Sequence, residues 1–76
     1  MSQGYSLSLV EANRSGSRRH IGVALGRVCI KARVPVAEVA DYFGVSRQAI
    51  YSWFKGVSHP RPNLTSEIEK YMSSLG

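Results

Sequence analysis

The sequence predicts an all-α fold, a small bundle of four or five helices forming one domain over residues 1–76. Three features predict it. Apolar residues recur at helical spacing in separate windows, as with Ile21, Ala24, Leu25, Val28 and Cys29. Proline and glycine punctuate those windows at Pro35, Gly44, Gly56, Pro60 and Pro62, where helices are expected to start or stop. Cap-forming residues precede the apolar runs at Ser17, Ser46 and Asn63.

The N-terminal segment, residues 1–16, carries conflicting signals. Tyr5, Leu7 and Leu9 alternate with serines as in a strand, whereas Ser8 and Glu11 have capping-box spacing. The second signal predicts a short helix over Leu9–Asn13, ended by Ser15-Gly16-Ser17. The first long helix is expected from Arg18 to Ala32 with Ser17 as its cap. Gly22 and Gly26 fall on adjacent turns of it and weaken it by roughly 1 kcal/mol each relative to alanine, which suggests close approach of another helix. Pro35 introduces a helix over Val36–Phe43, and Gly44 ends it. Ser46 caps a helix over Arg47–Lys55 with Ile50, Trp53 and Phe54 inward, and Gly56 closes it. A proline loop leads to a last helix over Leu64–Ser74, capped by Asn63, with Leu64, Ile68, Tyr71, Met72 and Leu75 on one stripe.

Composition narrows the function classes. Ten Lys and Arg face five Asp and Glu, for a formal charge of +5. Arg14, Arg18, Arg19, Arg27, Lys31 and Arg33 fall in one stretch with no acid among them, and Arg47, Lys55 and Arg61 form a second basic group. Such a balance suits a polyanion. The one cysteine, Cys29, excludes an intramolecular disulfide and is expected to be a small buried hydrophobe. His20 and His59 are isolated, no Cys/His cluster has metal-ligand spacing, and no cofactor or small-molecule ligand is expected. No apolar run approaches the roughly 20 residues needed to cross a bilayer, and Met1–Tyr5 lacks signal-peptide character. The expected compartment is therefore the cytoplasm. No phosphate-cradling glycine loop and no nucleophile–base motif points to an enzyme.

Residues 36–55 form the informative unit. Ala40 is small where a second helix passes close, Gly44 supplies the left-handed turn, and Val45, Ile50 and Trp53 pin the two helices. The other face of the second helix is polar: Ser46, Arg47, Gln48, Tyr51, Ser52 and Lys55. That pattern suits a helix that enters the DNA major groove N-terminus first.

The register of Ala40, Gly44, Val45, Ser46, Ile50 and Trp53 resembles the helix-turn-helix of the Cro/CI (lambda-repressor-like) family. Ile21-Gly22-x-x-Leu25, the Gly56 loop and the Leu64/Ile68 helix extend the resemblance over roughly residues 18 to 75. One departure is Val36, where the family often carries a glutamine that braces the reading helix against the DNA backbone. A phosphate contact there would have to come from backbone N–H groups.

The resemblance implies double-stranded DNA as partner and transcriptional regulation as function, in the manner of a phage Cro-like repressor, because the chain ends just after the bundle. Arg47 and Gln48 are the leading base readers, since arginine pairs with guanine and glutamine with adenine. Ser46, Tyr51 and Ser52 join them, with Ser46 first of all a cap whose hydroxyl can also touch DNA and Tyr51 equally a packing residue. Lys55, Arg61, Arg18 and Arg19 are candidates for phosphate contacts, the last two competing with a merely exposed basic patch. A reading helix this short implies two copies on half-sites about 34 Å apart. A homodimer through Tyr71, Met72 and Leu75, aided by the Tyr5–Val10 segment, is the expected arrangement. The alternative function is a protein-interaction module on the same frame, binding a host regulator or polymerase.

Overall fold

In a computed structural model of the chain, residues 6–17 and 20–75 are described. They form five α-helices: α1 (Leu7–Ser15), α2 (Ile21–Ala32), α3 (Val36–Phe43), α4 (Arg47–Lys55) and α5 (Thr65–Leu75), with a 3₁₀ turn at Pro62–Leu64 ahead of α5. No strand occurs among the described residues, so the fold is the expected all-α bundle. None of these helices is long and apolar enough to cross a membrane.

The boundaries of α3 and α4 fall where Pro35, Gly44, Ser46 and Gly56 place them. The other starts differ, each for a local reason. Helix α1 begins at Leu7 because the Ser6 hydroxyl, not that of Ser8, accepts the Leu9 N–H at 3.1 Å. That start sets Leu9 and Asn13, four residues apart, on the buried face. Helix α2 begins at Ile21 rather than Arg18. Its cap is His20, whose Nδ1 accepts the Gly22 N–H at 3.1 Å, so Ser17 is not the cap of this helix. Asn63 does not cap α5. It lies inside the 3₁₀ turn, which Pro62 opens and a Leu64 N–H bond to the Arg61 carbonyl closes at 2.9 Å.

Helices α2, α3 and α4 end in the same way. Arg33, Gly44 and Gly56 take left-handed backbone at φ 60°, 67° and 79°. The following valine then donates its N–H five residues back: Val34 to Cys29, Val45 to Ala40 and Val57 to Ser52, at 2.9–3.0 Å. This double closure satisfies carbonyls that a helix end otherwise leaves without a partner. Two of the three stops were legible as glycine; Arg33 adopts a conformation that side chains other than glycine and asparagine rarely take.

Helices α2 and α4 pack together at the centre, α3 and α5 flank them, and α1 closes over both. Close contact is possible because Gly22 and Gly26 face α4. A Cβ at Gly22 would lie 2.7 Å from the Trp53 carbonyl oxygen, and one at Gly26 would lie 2.9 Å from the Phe54 ring and collide with the Asn13 amide. Leu25, Cys29, Val39, Ile50, Phe54 and Ile68 are fully enclosed, and Trp53 is buried as expected. Burial, followed by the charge of Glu38, pushes the Cys29 thiol up to about 12.

Asn13 is the buried polar residue of this core. Its Nδ2 donates to the Val23 carbonyl at 3.1 Å and to the Phe54 carbonyl at 2.7 Å, tying α1 to α2 and to the C-terminal end of α4. Arg27 completes the join from the other side. Its Nη2 donates to the carbonyls of Arg14 and Gly16, both at 2.9 Å, and so caps the C-terminus of α1.

The last helix overturns one expectation. Tyr71 is buried, edge to face with Phe43 at a ring-centroid distance of 5.3 Å and tilted against Tyr42 at 4.5 Å. Met72 and Leu75 are half-buried and pack on the same core. The apolar stripe of α5 therefore folds back onto the bundle, packing chiefly against α2, with Tyr42 and Phe43 of α3 covering Tyr71. Tyr71 is not an exposed interface residue. The Tyr5 part of the proposed interface lies outside the described residues.

The Asn13 join predicts an order among variants. Asn13→Ala leaves two buried carbonyls without this donor and should lower the unfolding free energy by about 1–3 kcal/mol. Asn13→Asp aims a carboxylate at those carbonyls and should lose more at neutral pH. Urea unfolding of the two variants measures both, and an Asp variant as stable as wild type would rule out the two-carbonyl contact.

Candidate nucleic-acid interface

The sequence of α4 sorts its side chains by period. Ile50, Trp53 and Phe54 are buried, and Arg47, Gln48, Tyr51 and Lys55 are exposed on the opposite face. Ser52 belongs to that outer face but is half-buried, and its carbonyl accepts the Val57 N–H. Ser46 is spoken for as the cap, its hydroxyl accepting the Ala49 N–H at 3.1 Å. Of the predicted base readers, Arg47, Gln48 and Tyr51 thus share one open face, whereas Ser46 and Ser52 sit at its margins.

The frame residues hold that face in place. Ala40 and Ile50 are buried and Val45 is half-buried. Phe43 meets Trp53 edge to face, with ring centroids 6.2 Å apart. Val45 donates to the Ala40 carbonyl at 3.0 Å and Gly44 to the Asp41 carbonyl at 3.3 Å, so the turn that leads out of α3 towards α4 is closed by main-chain bonds. A Cβ at Gly44 would touch nothing within 4 Å, so glycine is needed there for its backbone and not for space.

Two of the predicted phosphate residues, Lys55 and Arg61, fall near opposite ends of α4. Lys55 is exposed in its last turn. Arg61 is exposed in a groove of about 330 Å³ that it lines with Gly44, Val45 and Asn63, beside the turn that starts α4. Asn63, read from sequence as a helix cap, is instead a polar neighbour of Arg61; nothing local in the sequence signals that placement. At the start of α3, Pro35 provides no side-chain capping hydrogen bond. Arg18 and Arg19 lie outside the described residues.

The loop that delivers Arg61 is held at His59. Its ring stacks on His20 with centroids 3.9 Å apart and planes 14° apart. His20 Nδ1 is the α2 cap, and its Nε2 is buried without a hydrogen-bond partner of ordinary geometry. Burial, then the charge that His59 would carry, pushes the His20 imidazole below its ordinary 6.5; interactions with the Ser58 and His20 backbone oppose this without reversing it. Among the described residues no group of three His, Cys, Asp or Glu could hold a metal.

No protein-family model matches the chain, and neither a curated protein nor a solved structure matches it.

Two predictions follow from this geometry. With no neighbour to clash, substitutions at Gly44 act through backbone strain alone, so Gly44→Val should cost about 1–3 kcal/mol and Gly44→Asn less. Equal melting temperatures for the two variants would contradict the strain account. For His20, a folded-state value below the unfolded 6.5 means that the folded form holds the proton less tightly. Stability is full above the unfolded value and declines as pH falls through the folded one. Unfolding free energy should drop as pH falls below the ordinary 6.5 of the unfolded imidazole, and His20→Asn, which keeps a cap acceptor but does not titrate, should flatten that drop.

Proposed function

We propose that this chain binds double-stranded DNA sequence-specifically in the cytoplasm and regulates transcription as a Cro-like repressor, of the Cro/CI helix-turn-helix kind that its residues resemble. The observation that carries the proposal is the open face of α4. Arg47, Gln48, Tyr51 and Lys55 lie on it together, without an acid, on a helix that follows a turn closed by main-chain bonds at Gly44 and Val45. Arg47 and Gln48, in the first turn, read base edges in the major groove. Lys55 at one end of α4 and Arg61 at the other hold the flanking phosphates, with Arg18 and Arg19 as further contributors. The uncapped start of α3 offers its Val36 and Ala37 N–H groups to a phosphate in place of the family's glutamine.

A helix of nine residues spans only a few base pairs, so two copies are required for useful affinity, on half-sites about one DNA turn apart. With Tyr71 in the core, the pairing of the two copies does not rest on that side chain.

Selection of bound sites from a random duplex library supplies the ligand for the test. On the selected site, Arg47→Ala and Gln48→Ala should each cost about 1–3 kcal/mol and relax the choice at one base position, with a much smaller loss on random duplex. Lys55→Ala and Arg61→Ala should weaken all duplexes alike and lower the salt slope by about 0.9 each. Failure to enrich any sequence would reject specific binding. Equal losses on selected and random DNA for the first pair would make them backbone contacts instead.

A further inference from the structure

An open groove of about 630 Å³ runs between α1 and α2. Val10 and Ile30 form its apolar part, and Arg14, Arg27 and Lys31 supply three cations with no acid among the lining residues. Leu7 stands on the same face of α1 as Val10 and Arg14, three and seven residues before them, and is 71% exposed. Glu11, the acid nearest in sequence, is exposed on α1 outside the lining. Arg27 is a fixed cation: its Nη2 is bonded to the carbonyls of Arg14 and Gly16, so ordering it for a ligand loses little further entropy. Arg14 and Lys31 are exposed and line the same groove.

We propose that this groove is the docking site for an acidic, amphipathic segment of a partner protein. Charge complementarity selects an anionic partner. The apolar part of the groove, with exposed Leu7 on the same face of α1, selects a peptide over a nucleic-acid backbone, because phosphates and sugars would give Val10, Ile30 and Leu7 no apolar cover. Acidic side chains would meet Arg14, Arg27 and Lys31 while apolar ones cover that part, in the manner of an amphipathic helix laid in a groove. Position also separates this site from the Arg47 and Gln48 end of α4. Asn13, which lines the groove, bonds the Phe54 carbonyl at the C-terminal end of α4, whereas Arg47 and Gln48 stand at the other end. The proposal does not depend on what α4 binds.

The test is amide chemical-shift mapping on the full chain with three probes. One is a synthetic helical peptide with glutamates on one face and leucines on the other. The second replaces those leucines with serine at the same charge, and the third is random-sequence duplex DNA. The Glu/Leu peptide should shift Val10, Arg14, Ile30 and Lys31 in a saturable way and leave Arg47 to Tyr51 in place. Lys31→Glu, an exposed change that spares the core, should weaken that peptide about tenfold or more. Ile30→Ser should do the same, with its unperturbed resonances showing that it remains folded. Equal binding of the Glu/Ser peptide would reduce the groove to a charged surface and overturn the proposal. So would shifts confined to α4, DNA shifting the groove residues, or no saturable shift with the Glu/Leu peptide.

Discussion

The carboxamide of Asn13 stands where three helices meet, and the arrangement around it depends on two glycines. Gly22 and Gly26 bring the backbone of α2 against the end of α4 so closely that a methyl group at either would strike it. At that spacing the main-chain carbonyls of Val23 and Phe54 come within reach of one amide, and Asn13 donates to both. A buried donor shared between two helices works only at one relative placement of them, which is why satisfied polar groups in a core confer definition as well as stability. Arg27 then ties the end of α1 back to α2, so α1 is bonded into the bundle and not merely laid upon it.

From that centre the chain is organised by how its helices stop. The closures after α2, α3 and α4 each turn the backbone through one left-handed residue and seal it with a valine N–H. Such a turn holds its direction without side-chain help, so the connections can be short. The one between α3 and α4 contains only Gly44, Val45 and Ser46. Its brevity leaves the outward side chains of α4 free of framework duties, apart from the cap at Ser46.

These features explain what was legible in the sequence. The limits of α3 and α4 depend on neighbours in the chain: a proline, two glycines and a serine that act within a turn of where they stand. The polar face of α4 was legible for the same reason, since burial of Ile50, Trp53 and Phe54 leaves the alternate face outside. Asn13 was not, because its partners lie 10 and 41 residues away and an asparagine in a helix looks the same whether buried or exposed. Arg33 was hidden because nothing local marks a non-glycine residue that will turn left-handed. Tyr71 was misplaced because a helical stripe shows which face is apolar and not how far another element reaches to cover it. Arg61 reaches the turn of α3 and α4 through the path of a loop, which no local pattern encodes.

The enclosure of Cys29 has a kinetic consequence. The side chain is 0% exposed and its proton is held to about 12, so neither a thiolate nor a path to one exists in the closed fold. It is also the only thiol in the sequence. Modification by a soluble reagent then requires the junction of α2 with its neighbours to open. Where reclosing outpaces the reaction, the labelling rate is the population of the open form multiplied by the rate of a free thiol. The protein thus carries a built-in gauge of how often its own core stands open, read at a native side chain.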